Sequence, residues 1–319
     1  MSTSPLLYLR LPNWLGDVCM ALPVLEAFLA RNYRVVVCAR PWAKTLLSGY
    51  ALTGFVPMSG KLHTDAHTLK QFKKTQQHQQ ALALSLPDSL SSALVFAWAR
   101  LPSAGYKDDG RSWLLRWPIS KPSESMHAVE RWYHLAYTAS DIWQQPIAPR
   151  VASSLHLAGV PEPKPVKFGL NPQQTNILIA PTAIGLHKGH IKVWPHFESL
   201  TQALQALQVN VIMCPPPNEI EQALENAPSA QRLEPLPLLE FAQLCKSVDW
   251  VICNDSGVSH LAAAVDAKQI TLIGVTDPAH TGPWSGQAIC LGSLDHWPSV
   301  DEVLSALQLN LTPNSASIL

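Results

Sequence analysis

Short apolar runs alternate with helical patterns along the whole chain. The runs include Leu6–Leu11 and Arg34–Ala39 in the first half, and Asn176–Ala180, Val209–Cys214 and Trp250–Cys253 in the second. Each run is followed by a segment with the apolar spacing of a helix. Strands that alternate with helices in this way form β-α-β units around a parallel sheet. The sequence therefore predicts an α/β fold.

The pattern is less clear in the middle of the first half. Helical spacing covers Asp65–Leu84, so we predict one helix there. The apolar segment Ala93–Trp98 has the length of a buried strand, and we predict a strand for it. These two assignments fix which segments enter the first sheet.

The two halves are joined by a proline-rich segment. Six prolines lie within Gln144–Pro172, which shows no sustained periodicity. Such a composition is typical of a connection between domains. We therefore expect two doubly wound domains, residues 1–160 and residues 161–319.

The formal charge is balanced over the chain but not between its halves. The 319 residues include 23 Lys and Arg and 23 Asp and Glu, whereas a nucleic-acid-binding domain is usually strongly basic. Nucleic acid is therefore not an expected partner. Residues 1–165 hold 17 of the basic and 10 of the acidic residues, which leaves 6 and 13 for the remainder. Either the first half binds something anionic, or the asymmetry is a solvated charge distribution without functional meaning.

No stretch approaches the ~20 consecutive apolar residues of a membrane-spanning helix. Arg10 and Pro12 interrupt the first apolar run, and no basic segment precedes it, so the start does not resemble a signal peptide. Six cysteines are scattered through apolar contexts without a C-x-x-C pair, as expected of reduced core thiols. We expect a cytoplasmic protein.

Three familiar cofactor and metal motifs are incomplete. The turn Pro12–Asp17 holds one glycine, where a dinucleotide-binding fingerprint needs three. Gly54–Lys61 has five residues between its glycines instead of four, and Leu62 replaces the Ser or Thr of a P-loop. His63 and His67 have helical spacing without the Glu of H-E-x-x-H. These patterns disfavour a nicotinamide oxidoreductase and a P-loop ATPase, and neither a metal nor a cofactor is expected.

Two turns between a strand and a helix are informative, because open α/β sheets bind ligands at the carboxyl ends of their strands. The first turn is Leu9–Val18, in which Asp17 falls in the first helical turn. Asp17 either stabilises the helix dipole, which contributes about 0.3–1 kcal/mol, or takes a proton from an acceptor hydroxyl. Spacing alone favours the first role.

The second turn is Val251–Ala264, where an apolar strand ends in Asn-Asp-Ser-Gly and a helix of small residues follows. The first backbone N–H groups of such a helix form an anion site. Gly257 would let a phosphate approach the backbone closely. The alternative is an ordinary Asx or Ser N-cap.

Several motifs occur in the order of a known family. They are L-G-D-V-x-x-x-L-P at Leu15–Pro23, M-H-A-V-E-R at Met126–Arg131, K-x-W-P at Lys192–Pro195, N-D-S-G-x-x-H-x-A-A-A at Asn254–Ala264 and G-V-T-D-P at Gly274–Pro278. In these motifs the sequence resembles glycosyltransferase family 9, the ADP-heptose:lipopolysaccharide heptosyltransferases, over most of its length. The D-S-G-x-x-H segment with its downstream T-D-P is the most specific of them.

The resemblance implies a GT-B architecture, in which two Rossmann-like domains with parallel sheets face an interdomain cleft. The first domain would bind the acceptor and the second the nucleotide sugar. Asp17 would be the general base, and Lys192 would bind the diphosphate without a metal ion. The other donor-binding residues would be Thr182, Lys188, Glu219, Asp255, Ser256, Gly257 and His260, and the acceptor-binding residues Arg10, Asn13, Arg111 and Arg131.

Two features depart from the family pattern or add to it. The loop between Thr182 and Lys192 is several residues longer than usual, so Lys188 is a rival diphosphate ligand and the assignment of Thr182 stays open. The segment Trp98–Trp143 carries five tryptophans among interleaved Lys and Arg. Core packing explains some of these tryptophans, while docking to an anionic membrane surface would use the same combination.

The sequence thus predicts an inverting glycosyltransferase that moves heptose from ADP-heptose onto the lipopolysaccharide inner core, with a Kdo or heptose acceptor. Asp17 would remove the acceptor proton in a single displacement. Two alternatives are open at this point. One is a GT-B enzyme with another nucleotide sugar or acceptor, and the other is a noncatalytic protein that binds sugar nucleotides or glycans.

Overall fold

The computed structural model describes residues 4–76, 81–184, 186–187 and 190–311. The chain folds as two compact units, Met1–Gly159 (unit 1) and Val160–Leu319 (unit 2). Each unit is built around a six-stranded sheet whose described strand pairs are all parallel. The predicted α/β class is confirmed.

Unit 1 places its most apolar strands at the centre of the sheet. The strands are β1 Leu6–Arg10, β2 Arg34–Ala39, β3 Gly54–Pro57, β4 Ala81–Ser85, β5 Ser103–Tyr106 and β6 Trp117–Ile119. The helices are α1 Leu15–Met20, α2 Leu22–Ala30, α3 Ala43–Leu46, α4 Leu62–Thr75, α5 Leu90–Trp98 and α6 Ala128–Ile142, with a short 3-10 helix at Ser112–Leu114. Every residue of β1 is buried, because helices pack on both faces of the sheet.

Unit 2 repeats this arrangement. Its strands are β7 Asn176–Ala180, β8 Leu186–His187, β9 His190–Ile191, β10 Asn210–Met213, β11 Gln231–Arg232, β12 Trp250–Asn254, β13 Gln269–Ile273 and β14 Ala288–Gly292. Its helices are α7 Phe197–Ala206, α8 Ile220–Asn226, α9 Leu238–Ser247, α10 Gly257–Ala264, α11 Pro278–Thr281 and α12 Val300–Leu311, with short 3-10 helices at Pro165–Phe168 and Pro217–Glu219. Strands β8 and β9 form a separate antiparallel hairpin.

Both sheets have the strand order of a Rossmann fold. The order is β3-β2-β1-β4-β5-β6 in unit 1 and β11-β10-β7-β12-β13-β14 in unit 2. In each sheet the chain first adds strands on one side of the first strand and then adds the rest on the other side. The reversal lies between β1 and β4 in unit 1, and between β7 and β12 in unit 2. Open α/β sheets bind their ligands beyond the carboxyl ends of the strands at this point.

Two predicted elements of unit 1 are wrong. Ala93–Trp98 is not a strand but the main part of helix α5, and the predicted helix over Asp65–Leu84 ends at Thr75, after which residues 81–85 form strand β4. Ala93–Trp98 and residues 81–85 are both short and apolar, so their periodicity does not distinguish a strand from a buried helix. The local signal that decides is Ser89, the N-cap of α5, whose Oγ accepts a hydrogen bond from the Ser92 N–H at 3.3 Å.

The cysteines and the helices bear on two other expectations. Five of the six cysteines are buried free thiols, as predicted, but Cys290 is exposed on the edge strand β14 and is not a core residue. Within the described residues, no helix combines the length and the apolar character that crossing a membrane requires.

Candidate functional site

Polar residues collect at the reversal point of unit 2. Thr182 lies just beyond β7, while Asn254 ends β12 and Asp255 and Ser256 follow it. Thr182, Asn254 and Asp255 are buried, although they lie where a strand meets a loop. Buried polar groups at such an edge need hydrogen-bond partners, and the partners of these residues define the local architecture.

Asn254 connects three segments that are distant in sequence. Its Oδ1 accepts a hydrogen bond from the Trp194 N–H at 2.8 Å, and its Nδ2 donates to the Ala180 and Thr182 carbonyl oxygens at 3.3 and 3.2 Å. The side chain is fully buried. Asn254 therefore fixes the end of β7 and the segment that carries Lys192 relative to the turn after β12.

The segment around Lys192 is anchored by a buried tryptophan. The Trp194 side chain is fully buried, its Nε1 donates to the Pro298 carbonyl oxygen at 2.8 Å, and its ring packs edge-to-face on Phe197. Lys192 lies two residues earlier and is half-buried. The rival ligand Lys188 lies outside the described residues. The segment that carries Lys192 is thus anchored beside the reversal point.

Helix α10 begins at the turn after β12. Ser256 is its N-cap, and the Ser256 Oγ accepts a hydrogen bond from the Val258 N–H at 3.4 Å. Gly257 is the first helical residue. Asp255 and His260 are both buried, with 3.9 Å between an Asp255 Oδ1 and the His260 Nε2. The ordinary N-cap role of Ser256 is therefore present, and the first N–H groups of α10 lie at the ligand edge of the sheet.

Thr182 and Glu219 meet at the ends of two neighbouring strands. Glu219 ends the short 3-10 helix that follows β10, and the Thr182 hydroxyl donates to Glu219 Oε2. Glu219 stays half-exposed, whereas Thr182 is buried beneath it. The structure thus brings together two residues that the sequence analysis assigned to one ligand.

The turn after β1 in unit 1 contains Arg10, Asn13 and Asp17. Arg10 ends β1, is buried, and donates from Nη2 to Asn13 Oδ1 at 2.7 Å. Asp17 is half-buried in the first turn of α1, whose N-cap is Trp14 and not Asp17. Burial, together with the Asp17 carboxylate, raises the pKa of the Cys19 thiol to about 12. The two roles considered for Asp17, in the helix dipole and as a base, are both compatible with this position.

Arg111 does not lie as expected for a residue that touches an acceptor. Its side chain has no exposed surface. The guanidinium donates to the carbonyl oxygens of Tyr106 and Pro87, each at 2.6 Å, and to Asp88 Oδ1 at 3.2 Å. Burial lowers the pKa of Arg111, while the nearby Asp88 acts in the opposite direction. We infer that Arg111 holds the β4–α5 loop against the end of β5 and contacts no ligand directly.

The M-H-A-V-E-R motif forms the start of helix α6. His127 is the N-cap, its Nδ1 accepts from the Val129 N–H at 3.2 Å, and the His127 N–H donates to Glu130 Oε2 at 3.2 Å, which makes a capping box. Arg131 follows this box. Within the described part of the chain, its buried Nε has no hydrogen-bond partner. Part of the motif is therefore structural, while the Arg131 side chain as a whole is half-buried.

A comparison with family models shows where this chain belongs. The model for glycosyltransferase family 9 (heptosyltransferase) matches residues 68–308, which is about three quarters of the chain. The chain belongs to glycosyltransferase family 9. The match spans both units and includes the turn after β12, so the resemblance seen in the motifs is confirmed.

Relatives within glycosyltransferase family 9 are similar over most of their length. Lipopolysaccharide heptosyltransferase 2 of Salmonella typhimurium is 27% identical over 320 residues, covering 87% of this chain and 85% of that protein. The enzyme of the same name from Escherichia coli K12 gives the same values. The similarity is therefore global and not confined to one unit.

Solved structures of the family share the fold. E. coli ADP-heptose lps heptosyltransferase II superposes with a TM-score of 0.72 and 24% identity over 95% of this chain and 97% of that one. E. coli heptosyltransferase WaaC with ADP gives a TM-score of 0.75 and 17% identity over 96% and 99%. Two Rossmann-like units are thus the architecture that this chain shares with family members.

One residue of the family 9 motifs was left without a role by sequence reasoning. Asn254 is part of the N-D-S-G turn, but its bonding partners are 60 to 74 residues away in the sequence. The available signal was its position as the last residue of a buried strand, where a polar side chain must find partners.

We expect Asn254→Ala to destabilise unit 2. The substitution leaves the Trp194 N–H and two carbonyl oxygens without their partner, and each buried polar group left unpaired costs about 1–3 kcal/mol. Urea unfolding should show a decrease of at least about this size in the free energy of unfolding.

Asn210→Ala is the matched control. Asn210 begins β10 and so lies at the amino ends of the strands of the same sheet. Its Nδ2 makes a single described hydrogen bond, to Asn176 Oδ1 at 2.9 Å. A clearly smaller loss is expected for this variant. Equal stability of Asn254→Ala and the wild type would show that the three segments are held together by other contacts.

Proposed function

We propose that this protein transfers heptose from ADP-heptose to a sugar of the lipopolysaccharide inner core, either Kdo or heptose. The observation that carries the proposal is the global similarity to lipopolysaccharide heptosyltransferase 2 from two bacteria. The turn after β12 supports it, because a helix N-terminus at the reversal point of a sheet suits a diphosphate.

Unit 2 is the donor-binding domain in this proposal. The diphosphate of ADP-heptose binds the first N–H groups of α10 and the ammonium group of Lys192, while Asp255 and His260 support the turn beneath it. Glu219 accepts hydrogen bonds from the ribose hydroxyls, with Thr182 orienting its carboxylate.

Unit 1 is the acceptor-binding domain. Arg10, Asn13 and Arg131 are the proposed acceptor contacts, since Arg10 and Asn13 are joined by a hydrogen bond and Arg131 is only half-buried at the start of α6. The glycan of the inner core carries hydroxyl and anionic groups, which these side chains recognise as donors. Arg111 acts behind them as a positioning residue.

The reaction is a single displacement that inverts the anomeric centre. The acceptor oxygen gives its proton to Asp17 and forms a bond to the anomeric carbon, while the bond from that carbon to the phosphate oxygen breaks. The electron pair of the broken bond leaves with ADP. Lys192 and the start of α10 stabilise the negative charge that develops on the departing diphosphate, so the transfer needs no metal ion.

The direct test is release of ADP in a purified system. We expect ADP to form from ADP-heptose only when a lipopolysaccharide core acceptor is present. Release with another nucleotide sugar would identify a different transferase. Binding of ADP-heptose without turnover on any core acceptor would identify a binding protein.

Peripheral contact with the inner face of the inner membrane is a second part of the proposal. Of the five tryptophans in Trp98–Trp143, Trp132 is buried and Trp117 packs edge-to-face on Trp143, whereas Trp98 and Trp113 are 45% and 74% exposed. Helix α5, which ends at Trp98, packs against the 3-10 helix that carries Trp113. Exposed tryptophans of this kind suit a membrane interface.

Cations accompany these tryptophans. Arg100 and Arg116 are exposed next to α5 and the 3-10 helix, and the Lys73 ammonium group lies at 2.6 Å from the Arg100 carbonyl oxygen. A positive charge near an anionic bilayer contributes about 1 kcal/mol. The lipid-linked acceptor would thus be presented to the same unit that binds its sugars.

We expect Asp17→Asn to reduce turnover by roughly 10²–10⁴-fold, because the amide keeps the size of the side chain but accepts no proton. The KM for ADP-heptose should change little, since the donor binds unit 2. Asp141→Asn makes the same chemical change at an exposed position of α6 and should leave turnover unaltered. Near-normal turnover of Asp17→Asn would reduce Asp17 to a helix-start residue.

We expect Lys192→Ala to lower turnover on the order of 10²-fold or more, because a preorganised cation stabilises the leaving group most effectively. The backbone two residues after Lys192 is fixed, because the Trp194 N–H donates to Asn254. Lys188→Ala should have a much smaller effect in the same assay. The reverse order of severity would assign the diphosphate to Lys188.

We expect Trp113→Ala to weaken cosedimentation with vesicles of phosphatidylethanolamine and phosphatidylglycerol at a 3:1 ratio. Arg116→Gln should weaken it about fivefold, the equivalent of about 1 kcal/mol for one basic residue. Val166→Ala is the control, since Val166 is a 79% exposed apolar residue of unit 2. Equal vesicle binding of all three variants would argue against membrane contact through Trp113 and Arg116.

A further inference from the structure

Two arginines of unit 1 lie at the carboxyl ends of neighbouring strands. Arg10 is the last residue of β1, and Arg40 directly follows β2. The Arg10 Nη1 donates to the carbonyl oxygens of Leu11 and Cys38, and the Arg40 Nη1 donates to those of Met58 and Ser59. The two guanidinium groups are therefore fixed by backbone carbonyls of the last part of β2 and of the turns after β1 and β3.

No carboxylate neutralises this pair. Among the described residues, no Asp or Glu oxygen lies within 4.0 Å of either guanidinium group. The carbonyl oxygens orient the arginines but carry no net charge. In the same part of the chain, the Nε and Nη2 of Arg40 have no hydrogen-bond partner. The Nε and Nη2 donors of Arg40 thus remain available at the carboxyl ends of the strands, where such sheets bind ligands.

Asp65, an acid that influences Arg10, already has hydrogen-bond partners. Its two carboxylate oxygens accept hydrogen bonds from the Ser59 N–H and hydroxyl, each at 2.7 Å, and from the Gly60 N–H at 2.9 Å. Asp65 is buried at the start of α4. It therefore stabilises the turn between β3 and α4, and it influences Arg10 from a distance without pairing with it.

The charged form of Arg10 is disfavoured both by burial and by the positive charge of Arg40. Burial lowers the pKa of Arg10, and the positive charge of Arg40 acts in the same direction, against the influence of Asp65. An arginine that is 7% exposed and has a second cation as its neighbour is an unfavourable arrangement in the free protein. An anion that bridges the two groups would remove this penalty.

We propose that Arg10 and Arg40 form an anion subsite that binds a carboxylate or a phosphate group of the acceptor glycan. A planar guanidinium group binds either oxyanion with two parallel hydrogen bonds. The subsite rests on the proposed function, since it specifies which feature of the acceptor unit 1 recognises.

The subsite is joined to the proposed base by a short segment. Arg10 Nη2 donates to Asn13 Oδ1 at 2.7 Å, and Asn13 lies in the turn that leads into α1, which carries Asp17. An anion held by Arg10 and Arg40 would fix the acceptor on this side of the turn. The distance from that anion to the reacting hydroxyl then selects the hydroxyl that reaches Asp17.

The test is a comparison of Arg40→Gln with the wild type on modified acceptors. One acceptor has its carboxyl groups reduced to alcohols, a second has its phosphates removed by phosphatase, and the third is unmodified. On the unmodified acceptor, Arg40→Gln should raise the acceptor KM about 10- to 100-fold, the usual contribution of hydrogen bonds between charged groups. The KM for ADP-heptose should stay as in the wild type.

The two modified acceptors identify the source of the anion. On the acceptor that lacks the bound group, wild type and Arg40→Gln should have similar KM values, whereas on the other the difference should persist. Arg31→Gln is the matched control and should have the wild-type KM on all three. Arg31 is the C-cap of α2 and lies before the start of β2, at the amino ends of the strands. Its Nε donates to the Pro146 carbonyl oxygen at 3.2 Å.

A second measurement separates failure of this subsite from failure of the proposed function. Inorganic phosphate, added with saturating ADP to fill the donor site, should raise the Tm of the wild type and raise that of Arg40→Gln less. This readout needs no turnover, so it applies even if no core acceptor reacts. An equal shift in both proteins, or an equal rise in KM on all three acceptors, would overturn the subsite.

Discussion

The position of the first strand of each sheet governs the rest of the molecule. Strands β1 and β7 lie in the middle of their sheets, and every residue of both is buried. Because helices cover both faces of such a strand, its charged and polar residues collect near its two ends. Arg10 ends β1 and Thr182 follows β7 for this reason, and the reversal of strand order beside them leaves space for a ligand.

The two units use this common plan differently. In unit 2 the turn after β12 is tied by Asn254 to two other segments, and buried Trp194 fixes the segment next to them. Such a rigid arrangement suits the stabilisation of a leaving diphosphate, because preorganised charges need no reorganisation during the reaction. In unit 1 the corresponding side chains are held by carbonyl oxygens, which orient Arg10 and Arg40 without an ion pair among the described residues.

The sequence predicts the centre of each unit better than its edges. Arg34–Ala39 and Asn176–Ala180 are strands with the predicted bounds, because both are short apolar runs that are bounded by turns and, except for Arg34 and Asn176 at their starts, consist of residues that favour a buried strand. The edge strand β11 has two residues, Gln231–Arg232, and exists through its pairing with β10 and not through a pattern of its own. Ala93–Trp98 failed because an apolar run of six residues also fits a buried helix.

The site follows the same division. The turn after β12 can be predicted from the local sequence, since the N-cap role of Ser256 and the position of Gly257 depend only on the next few residues. The role of Asn254 depends on partners more than 60 residues away in two of its three bonds, which no local pattern reveals. The burial of Arg111 cannot be predicted from the sequence either, because an arginine that supports a loop and an arginine that binds a ligand look the same in a sequence.

The first half of the chain has more basic than acidic residues, and the basic residues of unit 1 differ in whether they have an ion-pair partner. Beyond β4 and β5, Lys121 contacts both Asp88 and Asp108, and these contacts raise its pKa although burial alone would lower it. Arg111 shares Asp88 in the same cluster. Beyond β1 and β2, in contrast, no acid within the described residues pairs with Arg10 or Arg40. The proposed anion subsite therefore lies where the two arginines have no ion-pair partner among the described residues, next to the turn that leads to Asp17.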